Sequence, residues 1–178
     1  MTSKRNYLPI GIITALLVFT VSCGGNASNE KNTPEGTDNQ GGSSKENGEL
    51  AEKQPCDLIT QKQAQELEIK NNGEINEFDK STCQWKITRT SGIDVSVYRD
   101  KHIGQINFSK DETSSTKLNG REAVIAKTGK YNCSLAFNVS SSSSISVSST
   151  AEATDPVETA CDLVKKAAPM VEHNISDN

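Results

Sequence analysis

Aromatic residues are scarce in this chain: they make up 4 % of its 178 residues, with a single tryptophan, Trp85. A large aromatic core is therefore excluded, and the interior must be small and built from Val, Ile, Leu and Ala, with a thin stability margin. Positive charge is not in excess either. The formal net charge is -4, and no lysine and arginine cluster offers the basic surface that a phosphate backbone demands, so nucleic acid is not an expected partner. Histidine is represented only by His102 and His173, and no C-x-x-C occurs, which leaves no ligand set at zinc spacing. G-x-S-x-G is absent, as is a recognisable carboxylate pair, so no catalytic residues and no cofactor are expected, and the chain reads as a non-enzyme. A membrane-spanning run is missing as well. The longest apolar stretch, Tyr7 to Val21, has about fifteen residues, against the roughly twenty that a helix needs to cross the hydrocarbon.

What that stretch does resemble is an export signal. Lys4 and Arg5 precede it, and small Ser22 stands directly before Cys23-Gly24-Gly25. We read residues 1–22 as a lipoprotein signal peptide and the Cys23 thiol as the lipid attachment site, taking a diacylglyceryl group that carries palmitate-type chains. An ordinary secretory signal with an incidental Cys23 is the alternative, since Thr20 occupies a position where leucine is usual. Each buried methylene contributes about 0.8 kcal/mol and two chains suffice for stable anchoring, so the protein would be lipid-anchored at the extracytoplasmic face of the cell membrane. Loss of Lys4 and Arg5 with the signal would take the net charge to about -6.

Residues 23–53 are mostly Gly, Asn, Ser, Glu, Lys and Thr, with Leu50 as the one large apolar residue. Such a segment buries too little surface to offset its conformational entropy, so a disordered polar tether is expected, with a root-mean-square reach of about 30 Å. Residues 54–178 are then left as a single domain.

Four cysteines lie in that domain: Cys56, Cys83, Cys133 and Cys161. An even set in an exported chain reads as two disulfides, because no glutathione pool keeps thiols reduced outside the cytoplasm. Three connectivities are open. We favour Cys56 with Cys83 and Cys133 with Cys161, each closing a loop of just under thirty residues.

Thr60 and Gln63 form a T-x-x-Q capping box ahead of Lys62 to Glu68, predicting a short helix that buries Ile59, Ala64 and Leu67 and ends at Asn71-Asn72-Gly73. From Thr82 the period changes to two. Cys83, Trp85 and Ile87, then Ile93, Val95 and Val97 beyond Ser91-Gly92, predict a hairpin with Trp85 as its core anchor. Arg99 to Lys117 is polar apart from Ile103, Ile106 and Phe108. It reads as an irregular excursion, or a weak short helix or strand, and as the best candidate for partner contact; His102 within it reads as a loop residue rather than a base. Asn119-Gly120 predicts a tight turn before the strand Arg121 to Ala126. Cys133, Leu135, Phe137 and Val139, then Ile145 and Val147, predict two more strands joined by a flexible turn at Ser140 to Ser144. Asp155, Pro156 and Glu158 open a last helix that buries Val157, Ala160, Cys161, Val164, Ala168 and Val171, with Pro169 set to kink or end it. The fold class is α+β: an antiparallel sheet with a short N-terminal and a longer C-terminal helix packed on it, braced by two disulfides. Cys56-Asp57-Leu58-Ile59 is echoed by Cys161-Asp162-Leu163-Val164.

The order of these features resembles a known family. A lipobox and polar tether are followed by Pro55-Cys56-Asp57-Leu58-Ile59-Thr60, Cys83-x-Trp85, Asn119-Gly120-Arg121-Glu122-Ala123, Cys133 and an Asp155-Pro156 helix carrying Cys161. From Pro55 to Val171 this is similar to the actinobacterial lipoproteins grouped as domain of unknown function 3558. The resemblance implies a cell-envelope lipoprotein with an α+β fold, and it implies no activity. The expected function is a non-enzymatic binding or accessory module contacting an envelope protein, a glycan or a small ligand. A sensor-like signalling accessory protein and an envelope hydrolase are the alternatives.

Overall fold

Every segment of period-two patterning becomes a strand in the computed structural model, which describes residues 48–176. The signal peptide, Cys23 and the tether up to residue 47 lie outside the described residues. The strands are β1 (Glu74–Ile75), β2 (Thr82–Lys86), β3 (Gly92–Tyr98), β4 (Glu112–Leu118), β5 (Arg121–Thr128), β6 (Asn132–Asn138) and β7 (Ser144–Thr150). They make one seven-stranded sheet in the order β1-β2-β3-β7-β6-β5-β4, and every neighbouring pair is antiparallel. Strands β4 to β7 form a meander. Because β3 joins it through β7, the chain leaving Tyr98 must cross the sheet to reach β4 at the far edge.

Register decides what faces inward. Val95 lies opposite Val147, Val147 opposite Leu135, and Phe137 opposite Ile145, so the apolar residues of the central strands stand in rows on one face. That face is covered by α3 (Val157–Ser176), whose Ala160, Cys161, Val164, Ala167, Ala168, Val171 and Ile175 are buried. Full burial of each large aliphatic side chain contributes about 1.5–3 kcal/mol, and the buried α3 face supplies no aromatic residue, with Ala160, Ala167 and Ala168 among its contacts to the core.

The α+β class and both disulfides stand as expected from the sequence. Cys56–Cys83 ties the 3-10 turn Pro55–Leu58 to β2, and Cys133–Cys161 ties β6 to α3. Each is a clasp between a helical segment and a strand, which gives the echoed cysteine motifs a common role. The Thr60 box forms as well: the Gln63 amide N–H donates to Thr60 Oγ1 at 3.3 Å and the Thr60 N–H to Gln63 Oε1 at 2.9 Å. Asn119 and Gly120 take φ of 48° and 91°, the left-handed pair that a two-residue hairpin turn needs.

Four local expectations change. The folded domain starts earlier than residue 54: Gly48–Ala51 forms α1, and Leu50 is only 2 % exposed. Arg99 holds the segment by donating to the carbonyls of Leu50 at 3.1 Å and Lys53 at 2.6 Å; the lone large apolar side chain of the tether thus belongs to the core. Helix α2 (Gln61–Glu66) stops before Asn71. Glu68 adopts φ 59°, and the Ile69 N–H donates to Ala64 O at 2.9 Å and the Glu68 N–H to Gln65 O at 3.1 Å, a Schellman closure in which glutamate occupies the place usual for glycine. Of the two outcomes expected at Pro169, a kink or an end, the end does not occur: α3 runs on to Ser176. Its last turns are held by buried Val171 and Ile175 and by Asn174, whose side-chain amide donates to Leu58 O at 3.0 Å and Gln63 Oε1 at 2.7 Å; these contacts offset a proline cost of about 3 kcal/mol. The serine turn, finally, is built in rather than flexible. Ser143 and Ser144 are buried, the Val139 N–H donates to Ser143 O at 3.0 Å, and Ser144 Oγ donates to Lys101 O at 2.7 Å.

Candidate functional site

The second face of an antiparallel sheet commonly meets water, and its strands then carry polar residues at alternate positions. Here those positions are Asp94, Ser96 and Tyr98 on β3, Ser146, Ser148 and Thr150 on β7, and Asn132 and Ser134 on β6. The register sets Ser96 opposite Ser146, Asp94 opposite Ser148, and Ser148 opposite Ser134. This face is not open. Residues 99–111, the connection from β3 to β4, lie across it.

Three hydrogen bonds pin that crossover to the sheet. Ser144 Oγ donates to Lys101 O at 2.7 Å, the Ile103 N–H donates to Asn138 Oδ1 at 2.9 Å, and Thr128 Oγ1 donates to Asp111 Oδ1 at 2.7 Å. Ala126 and Ala136, which point to the same side as Ser134 and Ser146 by register, have no exposed surface. Within the crossover, His102 caps the 3-10 turn Ile103–Gln105. Its Nδ1 accepts from the Gly104 N–H at 3.1 Å, and its own N–H donates to Gln105 Oε1 at 3.0 Å. His102 lies in the loop, where the sequence placed it, and its imidazole has a structural task there that the sequence did not reveal.

Between crossover and sheet lies a groove of about 310 Å³. Ile106 and Phe108 form its wall, Tyr98 and Asp94 stand at the β3 side, and hydroxyls and amides of β5, β6 and β7 pave its floor. Burial pushes the Asp94 carboxyl above the ordinary carboxylate range, and the hydrogen bond with the Gln84 side chain pulls it partly back. Some polar groups are already satisfied by one another: Thr150 Oγ1 donates to Asn132 Oδ1 at 2.7 Å, and the Thr82 and Ser96 hydroxyls lie 2.7 Å apart. A serine hydroxyl both donates and accepts, so Ser134, Ser146 and Ser148 present mixed hydrogen-bonding capacity beside two carboxyls, Asp94 and Asp111, and two aromatic rings. That combination suits a neutral ligand rich in hydroxyls better than it suits an anion or a wholly apolar molecule.

The region singled out in the sequence for contact, Arg99 to Lys117, divides in two. Its first part forms the groove wall, and its second part is β4, an edge strand that among the described residues pairs with β5 alone. Trp85 is 3 % exposed and serves the core, as expected. Cys56, Cys83, Cys133 and Cys161 are all in disulfides, and Cys23 lies outside the described residues. Sequence reasoning missed Asp94, Tyr98 and the serines of β6 and β7 as site residues. Their alternation with Ile93, Val95, Val97, Ile145 and Val147 was visible, but by itself it marked them only as facing away from the core.

Among the described residues, no helix is long and apolar enough to cross a membrane, and no group of three or more His, Cys, Asp or Glu is placed to hold a metal ion. The family model described as protein of unknown function (DUF3558) matches residues 18–174, and the chain belongs to that family. No curated protein and no solved structure matches it.

Proposed function

We propose that this DUF3558 member is an extracytoplasmic lipoprotein, anchored to the cell membrane through Cys23, whose folded domain is a non-enzymatic binding module for a polyhydroxylated envelope ligand such as a glycan. The groove under the crossover carries the reading: Asp94, Tyr98 and Phe108 converge with the serines of β6 and β7 on one open polar groove. Support for the location comes from the charged, apolar and small-residue sequence of Lys4 to Cys23 and from two disulfides, which persist in oxidising compartments. Support for binding rather than catalysis comes from the commitment of His102 to its own turn, because a serine nucleophile needs a base within hydrogen-bond reach.

Two measurements test this. Isothermal titration of the full chain against a panel of neutral and acidic oligosaccharides should identify a binder, with affinity weakened at least tenfold in Asp94→Ala and in Ser148→Val. No binding across the panel, or binding indifferent to both substitutions, would remove the groove from consideration. Mass spectrometry of the protein from its native host should show a chain beginning at a diacylated Cys23; an uncut, unacylated chain would end the lipoprotein reading.

A further inference from the structure

The apolar face of the sheet has a concavity of its own, of about 240 Å³, where β2 and β7 end and β3 begins, beneath the exit of α2 and the first half of α3. Its floor is formed by Leu67, Ile87 and Leu163, and its rim carries carboxylates from separate segments: Glu68 just after α2, and Glu152 and Asp155 in the β7–α3 connection. One cation is present, Lys166, and its ammonium already donates to the carbonyl of Glu66. Glu152 is held in place by the hydroxyls of Thr88 and Thr90, both of which donate to its carboxylate.

The second observation is Ser149. It lines this slot and is 4 % exposed, and its hydroxyl has no hydrogen-bond partner. Register places it opposite Ile93 and Cys133, on the same face as Ile145 and Val147, the other inward residues of β7. An unpaired buried hydroxyl is costly, and at this position an aliphatic residue would follow the pattern of the strand. A ligand that supplies the missing partner accounts for the serine.

We propose that this slot binds a small organic ammonium compound: its cationic group faces the Glu152 and Asp155 carboxylates, its short hydrocarbon body lies on Leu67 and Leu163, and a hydroxyl at its other end pairs with Ser149. A metal ion is a poor occupant, since no three carboxylates among the described residues come close enough to share one. Lys166 leaves the excess negative charge in place, and the apolar floor gives the hydrocarbon body a surface to cover. Slot and groove share Ser149 and Thr150 in their linings, while Asp94, Tyr98 and Phe108 border the groove alone.

The test is a titration of the full chain followed by methyl NMR at Leu67 and Leu163, with 4-amino-1-butanol, n-pentylammonium and 4-hydroxybutyrate as probes. We expect saturable shifts with 4-amino-1-butanol, binding at least tenfold weaker with n-pentylammonium, which lacks the hydroxyl, and none with 4-hydroxybutyrate, which reverses the charge. Ser149→Ala should erase the preference for the hydroxyl compound, and Glu152→Gln should weaken both ammonium probes at least fivefold. Asp94→Ala should leave all of these values unchanged, which separates the slot from the groove. Ser149→Ala removes one hydroxyl and Glu152→Gln keeps the side chain's shape, so neither adds bulk, and an unchanged melting temperature checks that the fold is kept. Absence of saturable binding by either ammonium, equal binding of the anion, or a hydroxyl preference that survives in Ser149→Ala would overturn the proposal.

Discussion

Replacing Cys133 and Cys161 together by alanine puts a number on how far this thin core depends on its cross-links. The two cysteines are 28 residues apart in sequence, and the chain-entropy relation for a loop of that length gives about 3.6 kcal/mol of lost stability at 25 °C. A domain of this size unfolds with an entropy of about 0.27 kcal/mol/K, so the melting temperature should fall by about 13 °C. Cys56–Cys83 spans 27 residues and contributes about the same. The two loops do not overlap, so the effects should add to about 7 kcal/mol, against a total stability of roughly 5–15 kcal/mol for ordinary domains. Urea titration followed by Trp85 fluorescence, run without reductant on wild type, each double alanine variant and the quadruple variant, measures all three quantities. A larger denaturant slope in the variants should accompany the loss, because the uncrosslinked unfolded chain exposes more surface. A loss below about 1 kcal/mol per bridge, or marked non-additivity between the bridges, would refute the loop-entropy account and move the stability of the domain back to its packing.

Other substitutions probe single features. Glu68→Gly should stabilise by about 0.5–1 kcal/mol in the same urea assay, because relief of the left-handed conformation at φ 59° outweighs the added freedom of the unfolded chain; destabilisation would count against the Schellman reading. Gly73→Ala should cost about 1–3 kcal/mol and shift the Trp85 emission, since a Cβ there would meet the indole at 2.6 Å and Cys83 Sγ at 2.7 Å. Carboxylates on the two faces should respond to pH in opposite senses. Burial raises the Asp94 pKa in the folded state, so whatever it contributes is full below its unfolded pKa and lost as pH rises through the raised value; Asp94→Asn should therefore melt higher than wild type at pH 7 and match it at pH 3. Glu172 is lowered by hydrogen bonds from Asn119 and Arg121, so its contribution is present above its unfolded pKa and fades as pH falls through the lowered one. Glu172→Gln should melt below wild type at pH 7 and converge with it in strong acid.

Features that depend on neighbours in the chain were legible before the fold was known. Alternation in Cys83-x-Trp85 and in Ile93-x-Val95-x-Val97 specified strands and the inward face of each, Thr60 with Gln63 specified a helix start, and Asn119-Gly120 a turn, because each pattern acts within a few residues. Loop length favoured the pairing of cysteines within each half but left two other connectivities open, and the fold selected it. Tertiary structure decided everything that depends on which surfaces meet: that Leu50 belongs to the core, that α3 survives Pro169 because Asn174 and Ile175 are held beyond it, and that the polar face of the sheet is roofed. The last of these comes from strand order. With β3 paired to β7 and β4 at the far edge, residues 99–111 have to cross one face, and only that crossing turns Asp94, Tyr98 and a row of ordinary outward-facing serines into the walls of a groove.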